Sequence, residues 1–316
     1  MTKKILICGA TGFIGRNLLE RFANKQEYEI VAVYNKKPPG EDKSNIEWVK
    51  ADLCNPDDVK MVMKGVDIVL QFAATTSGAK DISTKPYIHV TDNAIMNSYI
   101  FREAYEQKVE HVVFPSCTVM YQSSETGLKE EDFNGNDEIH SKYFGVGNTK
   151  VYLEKMCDFY SRLSDLKFTT LRHSNIYGPY DKYDLERSHV FGATMTKVVQ
   201  AEEKIVVWGS GEEKRDFLHV DDLVDFVELA LLKQESNYEL FNVGLGKAHS
   251  IKDLVKNIVQ CSGKDLKIEH DLSKPTIKTS LFLDCSKSKE KLGWRPKVSL
   301  EEGIERTLKW HRENIK

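Results

Sequence analysis

Short, wholly apolar runs alternate with amphipathic ones through the first part of the chain. Residues 4–8 (KILIC) are a strand-sized apolar run, followed by a glycine turn and an amphipathic stretch from Phe13 to Phe22. Next come YEIVAVY, a loop at Pro38-Pro39-Gly40, IEWVKADL, a helical run over 56–64, and VDIVLQFAA. A long helix is predicted over about 89–107, then the strand VEHVVFPSC, a helix after Asn148 (about 148–162) and the strand FTTLRHSNIYGP. Buried strands alternating with amphipathic helices predict βαβ units in a parallel sheet with both faces covered. After about residue 180 the segments shorten and become irregular. The expectation is a first domain over 1–180 and a smaller mixed α/β portion over 181–316, interleaved with it.

Composition narrows the classes. At 316 residues, 41% hydrophobic and 29% charged, the chain has a globular balance. A formal charge of −3 offers no electrostatic case for nucleic acid or an anionic membrane. The apolar runs are far shorter than a membrane span. Residues 1–10 run straight into a strand with no leader-like segment, so a cytoplasmic location is expected. Six cysteines lack CxxC spacing and histidine partners, which reads as free thiols and no metal site.

The chemistry begins at Gly9-Ala10-Thr11-Gly12-Phe13-Ile14-Gly15, between a strand and a helix. Small residues let the backbone approach a pyrophosphate, and the helix start offers amides and a positive dipole end. In this context the turn predicts dinucleotide binding on a Rossmann-type, doubly wound parallel sheet. The second strand ends in Tyr34-Asn35-Lys36-Lys37, with no acid to grip the adenosine ribose. Asn35 can bond ribose hydroxyls, so NAD is expected; the lysines keep NADP as the alternative. Asp52-Leu53, after the third strand, is placed to accept from the adenine amino group.

Taken together, GATGFIG, ADL, FAA, PSCTVMYQ, LRHSNIYGPYD, VVWGSGEEKRDFLHVDDL and LGWRPKVSLEEGI run in one order over essentially the whole chain. In that order they resemble the extended short-chain dehydrogenases that act on nucleotide sugars. SNIYGPYDKYDLERSHVFGA looks most like the GDP-sugar branch, so the resemblance implies a GDP-hexose or GDP-heptose substrate in surface-polysaccharide sugar synthesis. It further implies hydride transfer at sugar C4, by a dehydrogenase or, on the same scaffold, an epimerase or 4-keto reductase. FAA (Phe72, Ala73, Ala74) would line the cofactor. In the family a tyrosine serves as base, and a lysine four residues later lowers its pKa and holds the nicotinamide ribose; a Ser or Thr bonds the sugar oxygen. A phenol needs such a cation, and four residues on a helix share a face.

This chain departs from the pattern. Lys150 falls on the family lysine, which puts Val146 where the tyrosine belongs. Cys117 falls on the Ser/Thr position, with Ser116 and Thr118 beside it. Tyr143 lies seven residues before Lys150, about two turns and ~10 Å along a continuous helix. Gly145 and Gly147 are poor helix residues, and Asn148 or Thr149 is a plausible cap, so the helix is expected to begin late. Tyr143 would then lie on a lead-in loop able to fold back as acid/base, with Tyr121, Tyr177 and His189 as alternatives. Arg215 matches a family arginine for the diphosphate, with an ion pair to Asp216 or Asp221 as its structural alternative. His189 and Lys197 match the GDP-sugar branch's binding pair. Asn175, Arg187, Trp208 and Lys274 complete the expected substrate contacts. The resemblance also implies a homodimer or higher oligomer through the helices at 89–107 and 148–162. A different class, a degenerate regulatory protein that only binds dinucleotide or sugar nucleotide, is the competing reading.

Overall fold

A computed structural model describes residues 2–39, 46–76, 84–185, 188–274 and 279–315. Seven parallel strands form the central sheet: β1 (Lys3–Cys8), β2 (Tyr28–Tyr34), β3 (Ile46–Lys50), β4 (Ile68–Gln71), β5 (His111–Pro115), β6 (Lys167–His173) and β10 (Tyr238–Val243). Their order is β10-β6-β5-β4-β1-β2-β3. The order reverses beside β1, so the crevice between β1 and β4 opens at the carboxyl ends of the strands, where such sheets bind ligands. Edge strand β10 arrives from the second half of the chain and pairs with β6 from Tyr238↔Phe168 to Val243↔His173.

Both faces are covered, which is why the strands read as unbroken apolar runs. On one face α1 (Phe13–Phe22) and α6 (Val220–Lys233) pack against Ile5, Ile7, Leu70, Val113 and Leu171. On the other, α2 (Pro56–Val62), α3 (Thr91–Glu106) and α4 (Phe144–Ser161) cover Leu6, Val31, Val69, Val112 and Phe168. Phe101 on α3 meets Phe114 and Phe168 edge-on, at 5.2 and 5.4 Å between centroids.

A second core gathers around Tyr177, Phe191, Phe217, Leu254 and Ile304. It packs β7 (Asn175–Tyr177) and β9 (Lys214–His219) with α5 (Val190–Gln200), α7 (Ile251–Ser262) and α9 (Leu300–Asn314). β7 and β9 share a three-stranded sheet with β11 (Ala248–Ser250); β8 (Lys204–Trp208) pairs in parallel with β12 (Lys267–Asp271). A short helix, α8 (Ser286–Leu292), follows. Among the described residues no helix is long and apolar enough to cross a membrane.

The fourth helix corrects one expectation. It starts at Phe144, not after Asn148. Asn148 and Thr149 are interior: their side chains donate back to the carbonyls of Phe144 and Gly145. Tertiary packing outweighs the intrinsic cost of glycine in a helix. A Cβ on Gly145 would lie 2.9 Å from Val90 Cγ2, and one on Gly147 3.0 Å from Ile139 Cγ2. Tyr143 is therefore the residue immediately before a regular helix, not part of a free loop.

Candidate active site

The glycine turn is shaped by close backbone approach. Gly9 has φ +73°, and a Cβ there would stand 2.8 Å from Ala73 Cα. A Cβ on Gly15 would lie 2.1 Å from the Gly9 carbonyl oxygen, so the helix can close on the strand only with glycine. Gly12 is exposed at the N-cap of α1, where no side chain caps the helix and no acid occupies the first turn. Open amides and a bare backbone at the sheet's switch point are the cradle a pyrophosphate requires. Thr11, Phe13 and Ile14 are half-buried around it.

The opposite wall is the segment after β4. Phe72 and Ala73 are half-buried and Ala74 is exposed. The segment is held from α3 by Asn93, whose amide donates to the Thr75 carbonyl (3.0 Å) and accepts from its N–H (2.9 Å). Lys182 adds a bond to the Thr76 carbonyl (2.8 Å). Asn35 is exposed at the end of β2. Asp52 is exposed too, with one oxygen taken by the Cys54 N–H at 3.0 Å, and Leu53 is buried.

At the far end of the crevice, α4 is pinned to the end of β5 at two successive points. Lys150 Nζ donates to the Pro115 carbonyl at 2.7 Å and lies 4.6 Å from the centre of the Phe114 ring. One turn later, Glu154 accepts from the hydroxyl of Ser116. Ser116 is buried, so its hydroxyl is turned to the helix. Burial lowers the pKa of Lys150; Cys117 and Glu154 act in the opposite sense. Cys117 is the half-buried neighbour of that ammonium. Burial raises its thiol pKa, with Lys150 and the Val119 N–H opposing, so it rests as a neutral thiol. Thr118 is buried alongside.

Tyr143 has different company. Burial raises its pKa; Arg215 is the charge that lowers it, and Cys117 acts against that. Burial thus holds the phenol protonated, and its ring packs 5.8 Å from that of His140. Arg215 donates from Nη1 to the carbonyls of Lys214 (2.8 Å) and Thr279 (2.6 Å). The carboxylates considered as its ion partners are engaged elsewhere: Asp216 accepts from the N–H groups of Leu245, Gly246 and Leu283, and Asp221 pairs with Arg306.

Asn175 is half-buried and donates to the Asp216 carbonyl at 3.2 Å, one residue from Arg215. His189 is the exposed N-cap of α5. Trp208 is 52% exposed, with Lys197 Nζ 5.6 Å and Lys274 Nζ 5.8 Å from its ring centre. An exposed indole flanked by two ammonium groups is a surface on which a base can stack and phosphates pair. Arg187 lies outside the described residues. Two of the alternative proton carriers are removed: Tyr121 is buried and bonded to Asn242 and Arg172, and Tyr177 is fully buried, stacked on Phe191 at 4.0 Å.

His173, at the end of β6, was missed in the sequence. Its Nδ1 donates to the Ser174 carbonyl at 2.8 Å, which leaves Nε2 as the acceptor. Burial lowers its pKa to about 4, helped by Lys150 and His189, so the ring is neutral. The available signal was a polar residue at the carboxyl end of an otherwise apolar strand, where α/β sheets bind ligands.

Fold and turn together define a dinucleotide-binding enzyme scaffold. The profile of the NAD dependent epimerase/dehydratase family matches residues 5–244, and the chain belongs to that family. It is 38% identical over 321 residues to a probable GDP-L-fucose synthase 1 of Oryza sativa subsp. japonica, covering 99% of this chain and 93% of that one. It is 27% identical over 315 residues to a GDP-L-colitose synthase of Yersinia pseudotuberculosis, covering 97% of each. Among solved structures, a UDP-glucose 4-epimerase of Thermotoga maritima with UDP-glucose superposes at TM-score 0.87 with 26% identity, covering 99% of this chain and 100% of that one. A Bifidobacterium longum UDP-glucose 4-epimerase with NAD+ and UDP superposes at 0.83 with 19% identity, over 99% of each chain, and shows the shared fold. The protein is an NAD-dependent enzyme of this family, and its glycine turn has the open backbone that NAD needs.

Proposed function

We propose that this enzyme is an oxidoreductase for C4 of a GDP-sugar, acting as a reductase of the 4-keto form. The observation that carries the reading is Lys150, held at the carboxyl end of β5 by the Pro115 carbonyl, on the sheet whose glycine turn after β1 is left open. NAD, when bound in its reduced form, supplies the hydride. Gly9, Gly12 and Gly15 admit its diphosphate, Asn35 and Asp52 bond the adenosine end, and Lys150 bonds the nicotinamide ribose. Arg215 pairs with the substrate diphosphate, with Asn175 and His189 around the sugar. Trp208, Lys197, Lys274 and Arg187 hold the nucleotide. On this reading residues 181–316 serve as the substrate portion.

A protonated phenol can supply the proton that the C4 oxygen needs in the reducing direction. As hydride adds to the C4 carbonyl carbon, its oxygen takes the proton of Tyr143 while Cys117 and Thr118 bond that oxygen. Arg215 steadies the tyrosinate left behind. Relatives named for GDP-L-fucose and GDP-L-colitose synthesis support the GDP-sugar assignment.

The degenerate-binder reading draws on Val146 and on Ser116 being turned to Glu154. Mass spectrometry of the purified protein should find NAD(H) and a sugar nucleotide. Tyr143→Phe should then slow single-turnover hydride transfer by on the order of 10²-fold. No turnover with any 4-keto GDP-sugar, despite tight binding of both ligands, would instead establish the regulatory reading.

We also propose a homodimer through α3 and α4. Phe144 (60% exposed), Tyr152 (51%) and Phe159 (54%) stand out from α4, and Ile95 and Tyr105 from the adjoining α3. An apolar face on two packed helices is typical of an interface. Phe159→Asp should convert the sedimenting species to monomer; an unchanged sedimentation coefficient would refute this face.

A further inference from the structure

We propose that Arg172 is a positioning residue for Lys150: by holding Glu154, it keeps the lysine ammonium from being captured by the carboxylate one turn along its own helix. This rests on the reading of Lys150 as the nicotinamide-ribose contact.

Glu154 and Arg172 are both buried, at 5% and 3% exposure, so their charges need partners. Arg172 grips the carboxylate with two nitrogens, Nη2 to Oε2 at 2.7 Å and Nε to Oε1 at 3.0 Å. Oε1 also accepts from the Ser116 hydroxyl. The other arm of the guanidinium, Nη1, donates to the Tyr121 hydroxyl (3.0 Å) and the Glu130 carbonyl (3.1 Å). Its carbon lies 5.0 and 4.9 Å from the Tyr121 and Phe133 ring centres. Both carboxylate oxygens are therefore engaged by an arginine fixed on all sides.

Lys150 and Glu154 are four residues apart on α4 and share its inner face, the spacing at which helix ion pairs form. They do not pair. The ammonium donates to the neutral Pro115 carbonyl instead, beside Cys117. Without Arg172, the buried carboxylate would turn to the cation on its own helix face. The ammonium would be drawn one turn away from Cys117 and out of reach of a ribose at the strand ends. A lysine in place of Arg172 could not reproduce the two-nitrogen grip.

The test is titration of NADH fluorescence with protein alone, as a function of pH, alongside thermal melting. Arg172→Met should weaken NADH at least about tenfold. It should also move the alkaline limb of binding to higher pH, because an ion-paired lysine holds its proton more firmly. Adding Glu154→Gln keeps an acceptor for Ser116 but removes the competing charge, so the double variant should recover affinity and pH limb to within about threefold of the parent. A lower melting temperature in Arg172→Met with unchanged NADH affinity and pH limb would leave the pair a structural feature only and overturn the proposal. Where Arg172→Met fails to fold, the double variant decides: tenfold weaker binding there overturns the proposal. An unmodified protein that does not bind NADH contradicts the functional reading itself, an outcome separate from any difference among variants.

Discussion

The two ends of the crevice are built on different principles. At the glycine turn, backbone meets backbone: Gly15 faces the Gly9 carbonyl and Gly9 faces Ala73, so nothing larger fits. At the start of α4, side chains do the work, and there is latitude. Val146 stands one turn before Lys150, where a tyrosine is expected from the family pattern, yet helix and lysine are in place. A contact made by main chain tolerates no exchange of side chains, whereas a proton can be delivered from any group that reaches the same oxygen.

The largest effect should come from breaking the backbone end. Gly15→Ala places a methyl 2.1 Å from the Gly9 oxygen, so the turn must open, and NADH affinity should fall by more than about 100-fold in a fluorescence titration. Survival of tight binding would mean the diphosphate lies elsewhere. Next, Lys150→Met should cut hydride transfer by on the order of 10²-fold in single-turnover kinetics. The sharpest probe of latitude is a gain. Val146→Tyr puts a phenol on the face of Lys150 and should raise hydride transfer about tenfold, and should rescue Tyr143→Phe. Failure of that rescue would show that the substrate oxygen sits nearer Arg215 than Lys150.

The smallest effect lies away from the crevice. His111, buried on β5 and bonded to Thr169, has its pKa lowered to about 3 by burial and then by Lys167 and Lys3. Its ordinary value is 6.5, so it favours the folded state fully above about pH 6.5 and loses that contribution as pH falls toward about 3. Each pH unit in that window costs up to about 1.4 kcal/mol. Urea midpoints of His111→Gln should depend less on pH across it; equal slopes would show that His111 is not the responsible group.

The same contrast explains what was legible in the sequence. Buried parallel strands and the glycine turn are local patterns, and each reads directly from consecutive residues. The start of α4 is not legible because intrinsic propensity weighs against Gly145 and Gly147, while Val90, from another part of the chain, and Ile139, eight residues before Gly147, crowd those positions in the fold. Arg172 was invisible because its meaning lies in Glu154, eighteen residues earlier, and in Tyr121, fifty-one earlier. Tyr143 was found by its spacing to Lys150, but its electrostatic partner, Arg215, comes from β9.

The placement of β10 has a consequence for how the chain is made. β6 is flanked by β5 and by a strand that begins at Tyr238, so during synthesis its outer edge stays unpaired while some seventy further residues emerge. A fragment ending near residue 180 would keep that edge bare and should clump. Exchanging halves between relatives would therefore transplant a piece of the sheet along with the binding surface.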